Sequence, residues 1–340
     1  MTNAAAAAIS VAMEFEPFRP RFPWYGPHLQ SMRNPLSPPP VLPSGPGERV
    51  ALALGDGDVL QVRRDAPPTP DPGHPTVVLL HGLGGCETSN YMLAASRWFT
   101  REGAVVWRIN LRGAGPSQAT CRDWSHGGRY GDVEAFLPQL DAGPAGLFLI
   151  GFSLGGSVLL NYLARGRVDA RVVAAASVSA PLDLPAASEV LHAPKNRLYH
   201  DYLLRALKRD YLNPHSSLTP AEREAVRRAR TLFEVDDRFT APHHGFGRAI
   251  DYYREVSALS RLSAIAVPTA LLHGADDPFI PPDPYHRAHG RAVWVGLAAG
   301  GGHLGFHDRQ GLWHLRQCSR FLAQLGLVGE GLPAAAAMCS

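Results

Sequence analysis

The sequence predicts an α/β fold with a mostly parallel central sheet, helices on both faces and one helical insertion. Three observations predict it. Apolar runs of strand length alternate with helical segments from residue 76 to about residue 177. The alternation stops near Pro181 and resumes at Pro268, with a more polar, helix-patterned stretch between them. Finally, the apolar run 146–150 leads into Gly151-Phe152-Ser153-Leu154-Gly155 and then the helical segment 157–164, a strand, a very tight turn and a helix.

Taken in order, residues 1–48 form a proline-rich N-terminal arm. Prolines crowd residues 15–48, and proline fixes φ and lacks a donor, so no regular helix or central strand is expected there. The interleaved Phe15, Phe18, Phe22, Trp24 and Tyr25 would pack this extended arm on the domain surface. Residues 49–54 and 59–63, joined by Gly55-Asp56-Gly57-Asp58, form a hairpin. Residues 76–81 are a buried strand followed by the loop Gly82-Leu83-Gly84-Gly85, and 90–101 are a helix. Then come a strand at 104–110, a helix at 132–140, the strand, turn and helix around Ser153, and a strand at 171–177. Residues 183–260 are the insertion, placed as a cap over a site. Tyr199, Leu203 and Leu207 stand at helical spacing there, and Thr219-Pro220-Ala221-Glu222 makes a capping box. Strands at 268–273 and 291–297 and a helix at about 311–325 complete a core of residues 49–182 and 261–328. Residues 329–340, rich in alanine, form a flexible tail.

Composition narrows the function. Hydrophobic residues make up 45% and charged residues 19%, ordinary for a globular domain. A net charge of +3 gives no case for nucleic-acid binding. Cys86, Cys121, Cys318 and Cys339 lie far apart without paired metal spacing, so neither a disulfide framework nor a zinc site is expected. The Ala4–Ala8 run has no basic segment before it, and no apolar stretch would span a bilayer. The expected setting is cytoplasmic. No sequence feature specifies an oligomeric state.

A serine on such a turn is lifted clear of the sheet, and the first N–H groups of the following helix face whatever it attacks. Its hydroxyl needs a base, and the base needs an acid. In a hydrolase built on this turn the order is serine, acid, histidine. Asp277 follows a late strand and precedes Pro278, which makes it the acid; Asp276, read as a solvated turn residue, and Asp183, after the preceding strand, are its rivals. His303 lies in the glycine loop Gly300-Gly301-Gly302-His303-Leu304-Gly305, while His307 lies just outside that loop and His314 on the closing helix. The backbones of Leu83 and Leu154 are the candidate oxyanion donors. His81 is expected to prop the loop. No Gly-x-x-x-x-Gly-Lys-Ser/Thr occurs there, which drops a phosphate-binding reading.

Beyond these residues, the chain resembles, over about residues 20–325, the α/β-hydrolase family named after the bacterial hydrolase YheT. The segments that carry the resemblance are Pro27-His28-Leu29-Gln30-Ser31, with serine where the family has threonine, Asn110-Leu111-Arg112-Gly113 and His126-Gly127-Gly128. Phe239-Thr240-Ala241-Pro242-His243-His244-Gly245-Phe246, Tyr252-Tyr253 and Gly302-His303-Leu304-Gly305-Phe306 complete it. The resemblance implies an α/β-hydrolase fold with Ser153 as nucleophile, Asp277 as acid and His303 as base. It also implies hydrolysis of short- to medium-chain acyl esters or glycerolipids, and some relatives move acyl groups onto alcohols.

The expected activity is therefore carboxylic ester hydrolysis through an acyl-enzyme on Ser153, with no metal or organic cofactor. Acyl transfer to an alcohol, or a binding protein that kept the fold without turnover, are the alternatives. Residues 195–230 carry nine lysines and arginines against four acids. Such a run is either a solvated helix face or a peripheral contact with a membrane or anionic lipid.

Overall fold

The structure, a computed structural model, describes residues 13–42, 45 and 47–329. The Ala4–Ala8 run, Cys339 and the alanine-rich end of the tail lie outside the described residues. The strands are β1 (Glu48–Ala53), β2 (Val59–Asp65), β3 (Thr76–Leu80), β4 (Val106–Ile109), β5 (Leu147–Phe152), β6 (Val172–Val178), β7 (Thr269–Gly274) and β8 (Val293–Ala298). They form one sheet in the order β1-β2-β4-β3-β5-β6-β7-β8. The β1–β2 and β2–β4 pairs are antiparallel, and the rest are parallel.

Helix α1 (Gly26–Leu36) precedes the sheet, and α2 (Asn90–Arg101), α3 (Gly131–Phe136) and α4 (Leu154–Arg165) connect its strands. Every residue of β3 and β5 is buried, as uninterrupted apolar strands covered on both faces must be. Alternate side chains feed two cores. Val78, Leu80 and Leu149 meet Phe136 of α3 and Val158 and Leu159 of α4. Val77, Leu79, Phe148 and Ile150 meet Phe99 of α2 and Leu315 and Phe321 of the C-terminal helix Trp313–Gln324. Each such fully buried leucine or phenylalanine stabilises the fold by about 1.5–3 kcal/mol relative to exposure.

Two local expectations are corrected. The arm does contain a regular helix, α1. Pro27 falls in its first turn, where an N–H would be unpaired anyway, and Pro35 falls in its last, so the stretch between them is free to close its ladder. The helix expected at 132–140 is α3, ending at Phe136, followed by a tight turn at Leu137–Gln139, because Pro138 cannot donate to the α-helical ladder. The arm then lies along the C-terminal helix. The N–H groups of Glu14 and Glu16 donate to Gln324 and Gln317, both at 2.9 Å, and the Trp313 indole donates to the carbonyl of Glu16 at 2.7 Å.

Between β6 and β7 the chain forms α5 (Leu184–His192), α6 (Arg197–Tyr211), α7 (Pro220–Arg228) and the helix Ala249–Val256. The capping box starts α7: the Glu222 N–H donates to Thr219 Oγ1 at 3.3 Å, and the Thr219 N–H to Glu222 Oε2 at 2.8 Å. Leu204, Leu207, Tyr211, Leu232 and Phe239 bury themselves around Trp124, which joins this region to the sheet side. A π-helical turn spans Asp236–Thr240. Cys86, Cys121 and Cys318 are free thiols. Among the described residues no helix is long and apolar enough to cross a membrane.

Candidate active site

Ser153 sits between β5 and α4 with φ of +51° and ψ of −120°, in the left-handed half of backbone space. Only a tight approach of strand, helix and neighbouring loop allows this. A Cβ on Gly151 would lie 2.5 Å from the carbonyl oxygen of Gly155, and one on Gly155 would lie 2.4 Å from that of His81.

The loop after β8 brings His303 Nε2 to 3.1 Å from Ser153 Oγ, and the turn after β7 brings Asp277 Oδ2 to 2.8 Å from His303 Nδ1. A carboxylate accepts, so Nδ1 carries the proton and Nε2 is left to accept from the serine hydroxyl. The Asp277 side chain is fully buried, and Phe279 and Ile280 donate their N–H groups to its Oδ1 at 2.8 and 3.1 Å. Burial alone would raise its pKa. The charge and hydrogen bond of His303, with His273 nearby and the Phe279 N–H, outweigh burial and hold it below the ordinary carboxylate range. Phe279 also stacks on the imidazole, ring centres 4.3 Å apart.

The other candidates are engaged elsewhere. Asp276 is an anchor rather than a solvated turn residue: its Oδ1 accepts the Gly302 N–H at 2.8 Å. Asp183 caps α5, accepting the Ala186 N–H at 3.1 Å. His307 Nε2 lies 2.7 Å from the Arg33 guanidinium, and burial, then that cation, push its pKa down to about 2. His314 lies between Phe152 and Phe306, and burial pushes it down to about 3.

Leu154 opens α4, so its N–H has no partner within the helix. Leu83 lies in the loop after β3, pinned where the Gly82 N–H donates to the Tyr91 hydroxyl at 3.0 Å and the Gly85 N–H to the Gly82 carbonyl at 3.1 Å. His81 props this loop. Its Nε2 accepts the Leu111 N–H at 3.0 Å, so Nδ1 donates to the Gly82 carbonyl at 2.8 Å, and burial pushes its pKa down to about 4.

Sequence reasoning missed the part played by α1. Ser31 Oγ accepts the His303 N–H at 2.8 Å, and Asn34 donates to the Leu304 carbonyl at 2.7 Å. Gln30 accepts the His307 N–H at 2.8 Å and donates to the carbonyl of the same residue at 2.9 Å. Family likeness had marked this segment, but pairings across so much sequence leave no local signal.

Ser153, His303, Leu83 and Leu154 all line one cavity of about 750 Å³, large enough for a sizeable organic ligand. Its walls are mainly apolar, with Leu191 and Leu203 from the insertion and Phe279 from the turn after β7. Asp236, on the π-helical turn, also lines it and accepts the Tyr253 hydroxyl at 2.7 Å. Burial pushes its carboxyl up to about 6. The ligand atoms of Asp123, His243 and His244 lie within 4.8 Å of one another, spacing that suits a metal ion. Arg129 already pairs with that aspartate and Trp124 packs on both imidazoles, so packing accounts for the group.

The family model described as Serine aminopeptidase, S33, matches residues 71–309. YheT, a candidate esterase of Escherichia coli (strain K12), is 32% identical over 313 residues, covering 90% of this chain and 91% of that one. Phospholipase ABHD3 of Homo sapiens is 30% identical over 300 residues, covering 84% of this chain and 71% of its own. Among solved structures, an esterase of Pyrococcus furiosus aligns with a TM-score of 0.56 at 14% identity, covering 92% of this chain and 98% of its own. That last likeness is one of fold.

Proposed function

The chain belongs to the α/β-hydrolase family described as Serine aminopeptidase, S33, and to the YheT-like group within it, and on that premise we propose a serine hydrolase of carboxylic esters that works through an acyl-enzyme on Ser153. One observation carries the reading: the unbroken line Asp277–His303–Ser153, at 2.8 and 3.1 Å, which ends on a serine held at positive φ.

In this reading His303 takes the hydroxyl proton as Ser153 Oγ attacks the ester carbonyl. The backbone N–H groups of Leu83 and Leu154 hold the oxyanion, a contribution of about 3–4 kcal/mol per donor. His303 then passes the proton to the leaving alcohol, and water repeats the sequence on the acyl-enzyme. Asp277 keeps the ring in its productive tautomer and stabilises its charged form. The apolar walls suit an acyl chain. The family likeness makes short- to medium-chain acyl esters or glycerolipids the proposed substrates, the latter met at a membrane that the basic segment 195–230 would contact.

A second reading rests on Asp236. A carboxylate in an apolar cavity suits a substrate amine, as aminopeptidase chemistry would require. One experiment separates them. Folded wild type and Ser153→Ala are given p-nitrophenyl esters from acetate to palmitate, aminoacyl p-nitroanilides, and the best ester with a competing alcohol. Ester turnover that vanishes in the variant is the expected result. Turnover of the anilides alone would favour the second reading, transfer to the alcohol would make the protein an acyltransferase, and no turnover at all would leave a binding protein.

A further inference from the structure

The large apolar side chains that stand exposed among the described residues fall on two stretches, the arm and the start of α6. On the arm, Tyr25, Leu29, Met32 and Leu36 recur at the spacing of one helix face, and Leu36 is 67% exposed. On α6, Leu198 is 85% exposed and Tyr202, one turn later, 59%. The other face of α1 is the polar one that holds the histidine loop. So α1 is amphipathic in a reversed sense: its polar face is buried and its apolar face meets solvent.

The two stretches form one surface. Met32, Leu198 and Tyr202 also line the cavity that contains Ser153, so the exposed apolar residues surround its mouth. His28 Nδ1 and the Tyr199 hydroxyl, 2.8 Å apart, tie α1 to α6 across it. The α6 side is basic: Lys195, Arg197, Arg205 and Arg209 are all exposed beside the apolar side chains of α6, with Arg197 paired to Asp201 at 3.8 Å and Arg209 to Asp210 at 3.1 Å. An apolar patch bordered on its α6 side by cations matches one kind of partner on both counts. Acyl chains take the patch, and anionic headgroups take the cations of α6.

We propose that α1 and the start of α6 dock the protein on an anionic phospholipid bilayer, with the cavity mouth facing the lipid. An ester could then pass from the bilayer to Ser153 without crossing water. That last step rests on the ester-hydrolase reading, whereas the docking does not.

The test uses the full chain carrying Ser153→Ala, so that vesicles are not consumed, in flotation with phosphatidylcholine vesicles with and without phosphatidylglycerol. The protein should float with the anionic vesicles, and less as salt rises. Leu29→Ser/Leu36→Ser and, separately, Arg197→Glu/Arg205→Glu should each weaken binding by about tenfold or more. With Ser153 restored, neither pair should change turnover of p-nitrophenyl acetate, and circular dichroism reports whether each variant is folded. Folded protein that ignores anionic vesicles, or binding that both variants leave intact, would overturn the proposal. So would a dimer broken by Leu29→Ser/Leu36→Ser without vesicle binding, because the patch would then belong to a second copy. Inert wild type on soluble esters would instead overturn the hydrolase reading and leave the docking standing.

Discussion

The Ser31 hydroxyl accepts the backbone N–H of His303 at 2.8 Å and donates a hydrogen bond to the Pro27 carbonyl at 2.7 Å. The loop that carries the proposed base is thus held from the arm. Ser31→Ala should lower kcat on a soluble ester about tenfold to a hundredfold while KM moves little, because a small displacement of a reacting group is enough for that. Ser31→Thr, which keeps the hydroxyl, should restore most of the rate. Steady-state kinetics on the two variants checks this, and equal loss in both would refute it.

Asp277 and Asp276 are adjacent, yet they should behave very differently. In Asp277→Asn the Phe279 and Ile280 N–H groups hold the amide oxygen, so an NH2 donor faces His303 Nδ1 and imposes the wrong tautomer. As a result kcat should fall by about 10⁴. Asp276→Asn can still accept the Gly302 N–H through its amide oxygen, and should stay within about tenfold of wild type. Measured side by side, the two rates test the assignment of the acid.

Gly305 lies where α1 meets the histidine loop, and a Cβ there would be 2.4 Å from the carbonyl oxygen of Gln30. Backbone must move to admit it. Gly305→Ala should cost about 1–3 kcal/mol of stability and most of the activity. It should also make the arm an early site of limited proteolysis. Thermal melts and a proteolysis time course give the answer.

The Asp236 carboxyl, pushed up to about 6 by burial, makes a prediction about stability. Its ordinary value is 3.8, so between about pH 4 and pH 6 the folded chain keeps a proton that the unfolded chain has lost. Stability therefore falls as pH rises through that window and levels off above it. Asp210, also pushed up to about 6 by burial, contributes in the same direction. Asp236→Asn should flatten part of the slope, as seen in melting temperatures across the window. An unchanged slope would show that the carboxyl is solvated in the cavity.

Much of the candidate site was legible because its signals are local. The serine turn is written in glycines two residues either side, and the two strands flanking it in the fold are short apolar runs closed by turn residues. Asp277 and His303 could be placed because each follows a late strand within a few residues. What could not be read depends on distant partners. Helix α1 was hidden by a proline count that ignored position, since Pro27 and Pro35 stand at its two ends. Asp276 looked like a solvated turn residue because its partner, Gly302, is 26 positions away. How the helices between β6 and β7 lie over Ser153 is set by their packing around Trp124, a residue of the sheet half that no periodicity connects to them.

Ser31 and His303 are 272 residues apart, and Glu14 reaches Gln324 across 310. A chain leaving the ribosome presents α1 long before the loop it holds has been made. The histidine loop thus stays without its anchor-bound geometry until the chain past residue 303 has emerged to meet α1. The same geometry governs fragments. A piece trimmed to the family match, beginning at residue 71, would keep Ser153, Asp277 and His303 and yet lose the helix that holds the histidine loop.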